Sequence, residues 1–107
     1  MTKYKFGDVV LVVFNQTDGN KKQRPVLVVL DTGDDDVVLA PITTTERKSK
    51  GDYKIKNWKQ SGLLLESWVR LAKIACLSKS DIHKRLGIFS VGDNKQIVSI
   101  WNKLYKF

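Results

Sequence analysis

The chemistry this chain can do begins with Arg24 and Thr43. Arg24 stands directly before Pro25 at the head of the apolar run PVLVVL, and Thr43 follows the second apolar run, VVLAPI. A guanidinium with a pKa above ~12 is always charged and grips two oxygens of a phosphate at once. A hydroxyl donates a hydrogen bond to the same kind of group. Pro25 has a fixed φ and no N–H, so it suits the first position of a strand and biases Arg24 towards an extended conformation. Between the two runs, TGDDD supplies the Gly and Asp residues of a tight turn. A hairpin with its turn at one end brings its open ends together, which predicts Arg24 and Thr43 on one edge as a phosphate site.

Further cations flank this pair. Asn15 to Gln23, NQTDGNKKQ, is wholly polar and carries Thr17, Asp18, Lys21 and Lys22. Such a stretch reads either as a mobile solvated connection or, beside a site, as a flap over a ligand, with Asp18 the nearest carboxylate by sequence. Beyond Thr44 the chain is at its most basic: Arg47, Lys48, Lys50, Lys54, Lys56 and Lys59 are interleaved with Tyr53 and Trp58. Cations that follow phosphates and rings that stack on bases make a nucleic-acid surface. In that reading Tyr53 is a candidate stacking residue, although the alternation of DYKIK also predicts a strand with Tyr53 and Ile55 facing a core. Arg70 is a lone charge within the apolar LLLESWVRLAKIACL. It must therefore face a groove, a carboxylate or an anion.

The elements that position these residues follow from the patterning. With 107 residues, one domain over 1–107 is expected. The net charge of +8 favours a polyanion partner without choosing which. One cysteine, Cys76, and one histidine, His83, allow neither a disulfide framework nor a His/Cys metal cluster, and a reducing cytoplasm is compatible. Lys5 to Phe14 reads as a first strand covered on both faces. No targeting signal is read, and the apolar VVLVVF is far too short to span a membrane. LLLESWVRLAKIACL has a period ambiguous between a helix and one bent strand, and its β-branched residues and Trp68 lean it to strand; if extended, Trp68, Arg70 and Ala72 share one face. Ser78 to Leu86 predicts a short helix, with Ser78 as its cap and Gly87 as its end, and Asp93 predicts the cap of a C-terminal helix. That helix would carry Ile97, Ile100, Trp101 and Leu104 as one apolar stripe.

Taken in order, GDVVLV, QTDGNKKQRPVLVVL, VVLAPITT and GLLLESWVRLAKIACLSKSDIHKRLG resemble the PemK/MazF family of toxin endoribonucleases over nearly the whole chain. The resemblance implies a mainly β, SH3-like small antiparallel barrel with a short helix and a C-terminal helix, forming a homodimer. It implies cleavage of single-stranded RNA without metal or cofactor, leaving a 2′,3′-cyclic phosphate and a 5′-hydroxyl. It also implies an antitoxin whose acidic segment blocks the RNA groove. By position, the family's arginine before the strand proline falls on Arg24 and its hydroxyl after the second strand on Thr43. Its RNA-covering loop falls on Thr17, Asp18, Lys21 and Lys22. Thr44, Arg47, Lys48, Lys50 and Arg70 complete the expected RNA contacts. The chain departs from some members in having Ala72 where they carry a carboxylate, and it lacks the Glu-Gln pair of their first loop. Two other readings fit a basic barrel of this kind: a non-catalytic nucleic-acid-binding module, and a protein-binding toxin that inhibits DNA gyrase.

Overall fold

The computed structural model describes residues 2–15 and 17–107. Seven strands and one helix follow in the order β1 (Asp8–Asn15), β2 (Lys21–Leu30), β3 (Asp36–Thr43), β4 (Asp52–Lys54), β5 (Trp68–Arg70), β6 (Ala75–Ser78), β7 (Ile82–Ile88) and α1 (Val91–Leu104). The strand order is β4-β5-β3-β2-β1-β7, with β6 also pairing with β3, and every pairing is antiparallel. The result is a curved, unclosed sheet with one C-terminal helix, in the SH3-like barrel class.

Alternation along the central strands builds two cores, one on each face. Val9, Leu27, Ala40, Ile42 and Val69 pack with Ile55, Leu71, Phe89 and Ile97 of α1. Val10, Val12, Val26, Val28, Val37 and Leu39 form the second cluster. Successive side chains of a strand point to opposite faces, so β1 is apolar throughout because both its faces are covered. Of the stripe on α1, Ile97, Ile100 and Leu104 lie against the first core as the spacing predicts, while Trp101 lines a cavity with Phe6 and Leu30.

Three local expectations are corrected. Lys21, Lys22 and Gln23 are strand, not loop, because Asn15 pairs with Lys21, Phe14 with Lys22 and Val13 with Gln23. The connection therefore shrinks to residues 16–20, of which Gln16 lies outside the described residues. The helix expected over Ser78 to Leu86 is a single 3₁₀ turn, Lys79–Asp81, followed by β7. Ser78 does cap that turn, accepting from the Ser80 N–H, but β1 has an open edge and the next residues pair with it instead. Gly87 accordingly ends no helix. A Cβ there would sit 2.5 Å from the Ser61 carbonyl oxygen, and one on Gly62 would sit 2.2 Å from that of Leu86, so the two glycines let backbones touch. Finally, α1 is capped by Ser90, which accepts from the Asp93 N–H. Asp93 is the third residue of the helix, and its carboxylate accepts in turn from the Ser90 hydroxyl at 3.1 Å.

The long apolar stretch, read as one bent strand, is two short ones: residues 63–67 lie in no strand, β5 is followed by a 3₁₀ turn over Leu71–Lys73 that takes Ala72 out of the extended row expected with Trp68 and Arg70, and β6 comes after it.

Candidate functional site

Registers place the site in one row across the sheet. Ile82 pairs with Val12, Val12 with Arg24, Thr43 with Trp68, and Trp68 with Lys54. The β2–β3 ladder runs to Val26 and Pro41, and carrying its register on by two residues sets Arg24 across from Thr43. The ladder ends there for a local reason: Pro25 and Pro41 offer no N–H, and β3 turns at Ile42 and Thr43 to pair with β5. Arg24 and Thr43 thus stand where two strands part. Period two puts them on the face of Val26, Val28 and Leu39, away from α1.

Arg24 is exposed, and among the described residues it is held by no hydrogen bond or ion pair. Thr43 is half-buried, and its Oγ1 accepts from the Thr45 N–H at 3.1 Å. That bond leaves the hydroxyl hydrogen free to donate outward. Arg24 is a permanent cation and Thr43 an oriented donor, with Thr44 exposed beside Thr43.

The other expected contacts divide. Lys22 lies two residues from Arg24 along β2 and so shares its face, while Lys21 is on the opposite side. Arg47, Lys48 and Lys50 are exposed in the β3–β4 connection, where Lys48 has φ 52°, a left-handed turn that a non-glycine residue rarely adopts. Thr17 and Asp18 sit exposed at the hairpin tip, where the Asp18 carboxylate accepts from the Asn20 N–H at 3.0 Å and from its Nδ2 at 3.1 Å. Lys21 begins β2 three residues before Arg24, a span of roughly 10 Å. Asp18 is thus occupied at the tip and not brought to Arg24. Arg70 found the carboxylate its burial demanded: its Nε is 3.2 Å from Asp52 Oδ1, and its Nη2 is 3.4 Å from Ser49 Oγ.

Tyr53 is not free to stack. Its hydroxyl donates to buried Asp93 at 2.5 Å, and the Asp93 carboxylate also accepts from the backbone N–H groups of Lys56 and Asn57 and from the Ser90 hydroxyl. Burial pushes the Tyr53 pKa up, and the Asp93 charge pushes it further. For Asp93, burial alone would raise the pKa, but the Tyr53 hydroxyl and the other donors outweigh it and hold the carboxyl below its ordinary value. The aromatic neighbour of the site is instead Trp68, whose same-face relation to Arg70 was the available signal. Lys54 Nζ lies 5.7 Å from the Trp68 ring centroid. Among the described residues, no group of three His, Cys, Asp or Glu side chains is placed to hold a metal ion, and no helix is long and apolar enough to cross a membrane.

A sequence profile for the PemK-like, MazF-like toxins of type II toxin-antitoxin systems matches residues 5–104. The chain belongs to this family. Its members are known as endoribonucleases. The fold is similar to that of a mycobacterial endoribonuclease solved in complex with its cognate antitoxin, with a TM-score of 0.75, 19% identity, and coverage of 94% of this chain and 92% of that one. It is also similar to the Mycobacterium tuberculosis toxin MazF-mt6, with a TM-score of 0.71, 20% identity, and coverage of 92% and 97%. MazE-MazF from Deinococcus radiodurans gives a TM-score of 0.71 at 14% identity, covering 100% of this chain and 99% of that one. No curated protein sequence matches at a significant level.

Proposed function

We propose that this member of the PemK/MazF-like family is a metal-independent endoribonuclease that cuts single-stranded RNA at defined sequences. The observation that carries the reading is an exposed Arg24, without an ion-pair partner among the described residues, set across from Thr43 where β2 and β3 part. In the reaction the 2′-oxygen attacks the adjacent phosphorus and loses its proton. The bond to the 5′-oxygen breaks and that oxygen gains a proton, leaving a 2′,3′-cyclic phosphate and a 5′-hydroxyl. Arg24 cannot act as a base, so its role is to hold two phosphate oxygens and stabilise the charge that builds on them. Thr43 donates its free hydrogen to the same phosphate. The site relies on the substrate's own hydroxyl as nucleophile, so it needs no activated water.

The exposed cations of β2 and of the β3–β4 connection supply the field that draws RNA and, in competition, the acidic segment of an antitoxin. A homodimer fits the opposite side of the molecule. There Phe6, Val29, Leu30, Ile97, Val98 and Trp101 line an apolar cavity of about 280 Å³, and an exposed apolar face of this kind marks an association surface. A cytoplasmic location completes the reading.

The test replaces the attacking hydroxyl alone. An RNA cut at one place by the pure protein in excess chelator is remade with hydrogen for that single 2′-hydroxyl. The expected result is binding without cleavage. Cutting of the substituted strand at the same place would rule out this mechanism, and an uncut all-RNA strand would rule out the nuclease.

A further inference from the structure

Next to the phosphate site, on the far side of Thr43 from Arg24, the surface carries a depression of about 450 Å³ lined by Thr44, Trp58, Leu65, Glu66 and Trp68. We propose that it seats one unpaired nucleobase of the strand whose phosphate lies between Arg24 and Thr43. The proposal rests on the RNA-cleaving reading above and adds to it the residues that select the sequence.

Position comes first. Trp68 pairs directly with Thr43, and neighbouring strands lie about 4.8 Å apart, so the ring is one strand's width from the hydroxyl that faces the phosphate. The apolar character of the place is left uncovered: Leu65 is 61% exposed and Leu64 90%. Each tryptophan has a lysine above it, Lys54 at 5.7 Å from Trp68 and Lys59 at 5.4 Å from Trp58. An exposed lysine on a ring is worth about two- to fivefold in an equilibrium constant. A stacked base is worth about five- to a hundredfold. A base therefore displaces Lys54 from the ring and from the Glu66 carboxylate 3.9 Å away, an exposed pair that is worth little, which frees Glu66 to accept from the base and leaves the ammonium placed to follow the backbone phosphates.

The seat is also preformed. The loop that carries Trp58 and Leu65 is held by its own backbone, with the Ser61 N–H donating to the Asn57 carbonyl, the Leu63 N–H to that of Trp58 and the Ile55 N–H to that of Ser67. The Ser67 hydroxyl donates to the Leu65 carbonyl at 2.8 Å. Selectivity follows from Glu66, whose ionised carboxylate only accepts hydrogen bonds. It favours a base edge bearing an amino group over the carbonyl-rich edge of uracil, as carboxylates do with cytosine.

The experiment uses a short single strand with hydrogen in place of every 2′-hydroxyl, prepared with one abasic residue at each position in turn, and measures affinity by fluorescence anisotropy. In the wild type, one abasic position should weaken binding about tenfold or more. Trp68→Ala should lose that factor with the complete strand and lose nothing further at that position. Trp68→Phe, which keeps a ring, should restore the dependence and shows that a folded chain is being compared. Glu66→Gln should reduce the discrimination against uracil at that position. A flat abasic scan, or a loss in Trp68→Ala that merely adds to the abasic loss, overturns the seat. So does an acidic peptide that protects Trp68 from quenching while every base substitution is neutral. If the protein shows the predicted scan but cuts no RNA, the nuclease reading fails and the seat stands. If it cuts RNA and the scan is flat, the seat fails and the nuclease stands.

Discussion

The Tyr53 hydroxyl donates to the Asp93 carboxylate at 2.5 Å, joining β4 to the first turn of α1 across 40 residues of sequence. Asp93 is 1% exposed and receives three further donors from Lys56, Asn57 and Ser90. A helix N-terminus also favours a negative charge. The carboxylate thus fixes the helix against the strand that precedes the basic loop, and so fixes the ground on which Trp58 stands.

Removing one donor to a charged group costs about 1.5 to 3 kcal/mol. Tyr53→Phe should lower unfolding free energy by that amount in a urea titration and leave RNA binding unchanged. Asp93→Ala should cost more, since it removes the cap and strands the Tyr53 hydroxyl. A Tyr53→Leu chain that stays folded but binds single strands markedly less well than Tyr53→Phe would return Tyr53 to the role of a stacking ring.

Acid should act through Asp31 and Asp93. The Tyr4 N–H, the Lys79 ammonium at 2.9 Å and the Gly33 N–H hold the Asp31 carboxyl down at about 2, against the opposing effect of its burial. A folded-state pKa below the unfolded one means that the unfolded chain binds more protons in this window, so stability rises with pH. The contribution is complete above the ordinary value of 3.8 and is lost as pH falls towards about 2. Unfolding curves taken through that window should show the loss, and Lys79→Ala, by raising the folded-state value towards the ordinary one, should make the loss smaller and end it at higher pH. A loss of unchanged size in that variant would mean the ion pair does not hold Asp31.

Arg24→Ala should reduce cleavage by several hundredfold, the equivalent of about 3 to 4 kcal/mol in the barrier. Its thermal melt should match the wild type, because the side chain is exposed. Arg24→Lys keeps the charge but not the two-pronged grip, and should recover only part of the rate. Cleavage of Arg24→Ala at near the wild-type rate would remove Arg24 from the mechanism.

Val98 is 46% exposed and Leu30 53%, and both line the apolar cavity beside α1. Val98→Asp should therefore leave the fold intact while converting a dimer to a monomer in sedimentation, through a charge buried without a partner at the interface. An unaltered dimer would place the association surface elsewhere.

How much of this was legible in the residues depends on which force decided each element. The β2–β3 hairpin could be read because its apolar runs and its Gly-Asp turn agree, and the same hairpin delivered Arg24 and Thr43 to one edge. Lys21 to Gln23 misled because a strand whose side chains all face water has no apolar period to show; only pairing with β1 makes it strand. Ile82 and Leu86 misled for a numerical reason, since a spacing of four suits a helical turn and is also twice the period of a strand. The open edge of β1 chose between them. Asp18 and Arg70 show the limit for charges: each found a partner, Asn20 and Asp52, that no local pattern distinguishes from the alternatives. For Trp68 the sequence showed only a face shared with Arg70, and its place beside Thr43 exists only once β5 has paired with β3.

The contact between Gly62 and Gly87 bears on how such a chain can change its targets. The segment that presents Leu64, Leu65 and Glu66 is anchored at its Ser61–Gly62 end by main chain lying on main chain, and all three side chains are exposed, Leu64 almost wholly. Replacements at such exposed positions usually alter stability by less than about 0.5 kcal/mol. Under the proposed function, the residues that would select a base are interchangeable tips on a fixed mount: the two glycines are the part that must be inherited together, and the tips can be exchanged one at a time while the proposed cutting edge stays where it is.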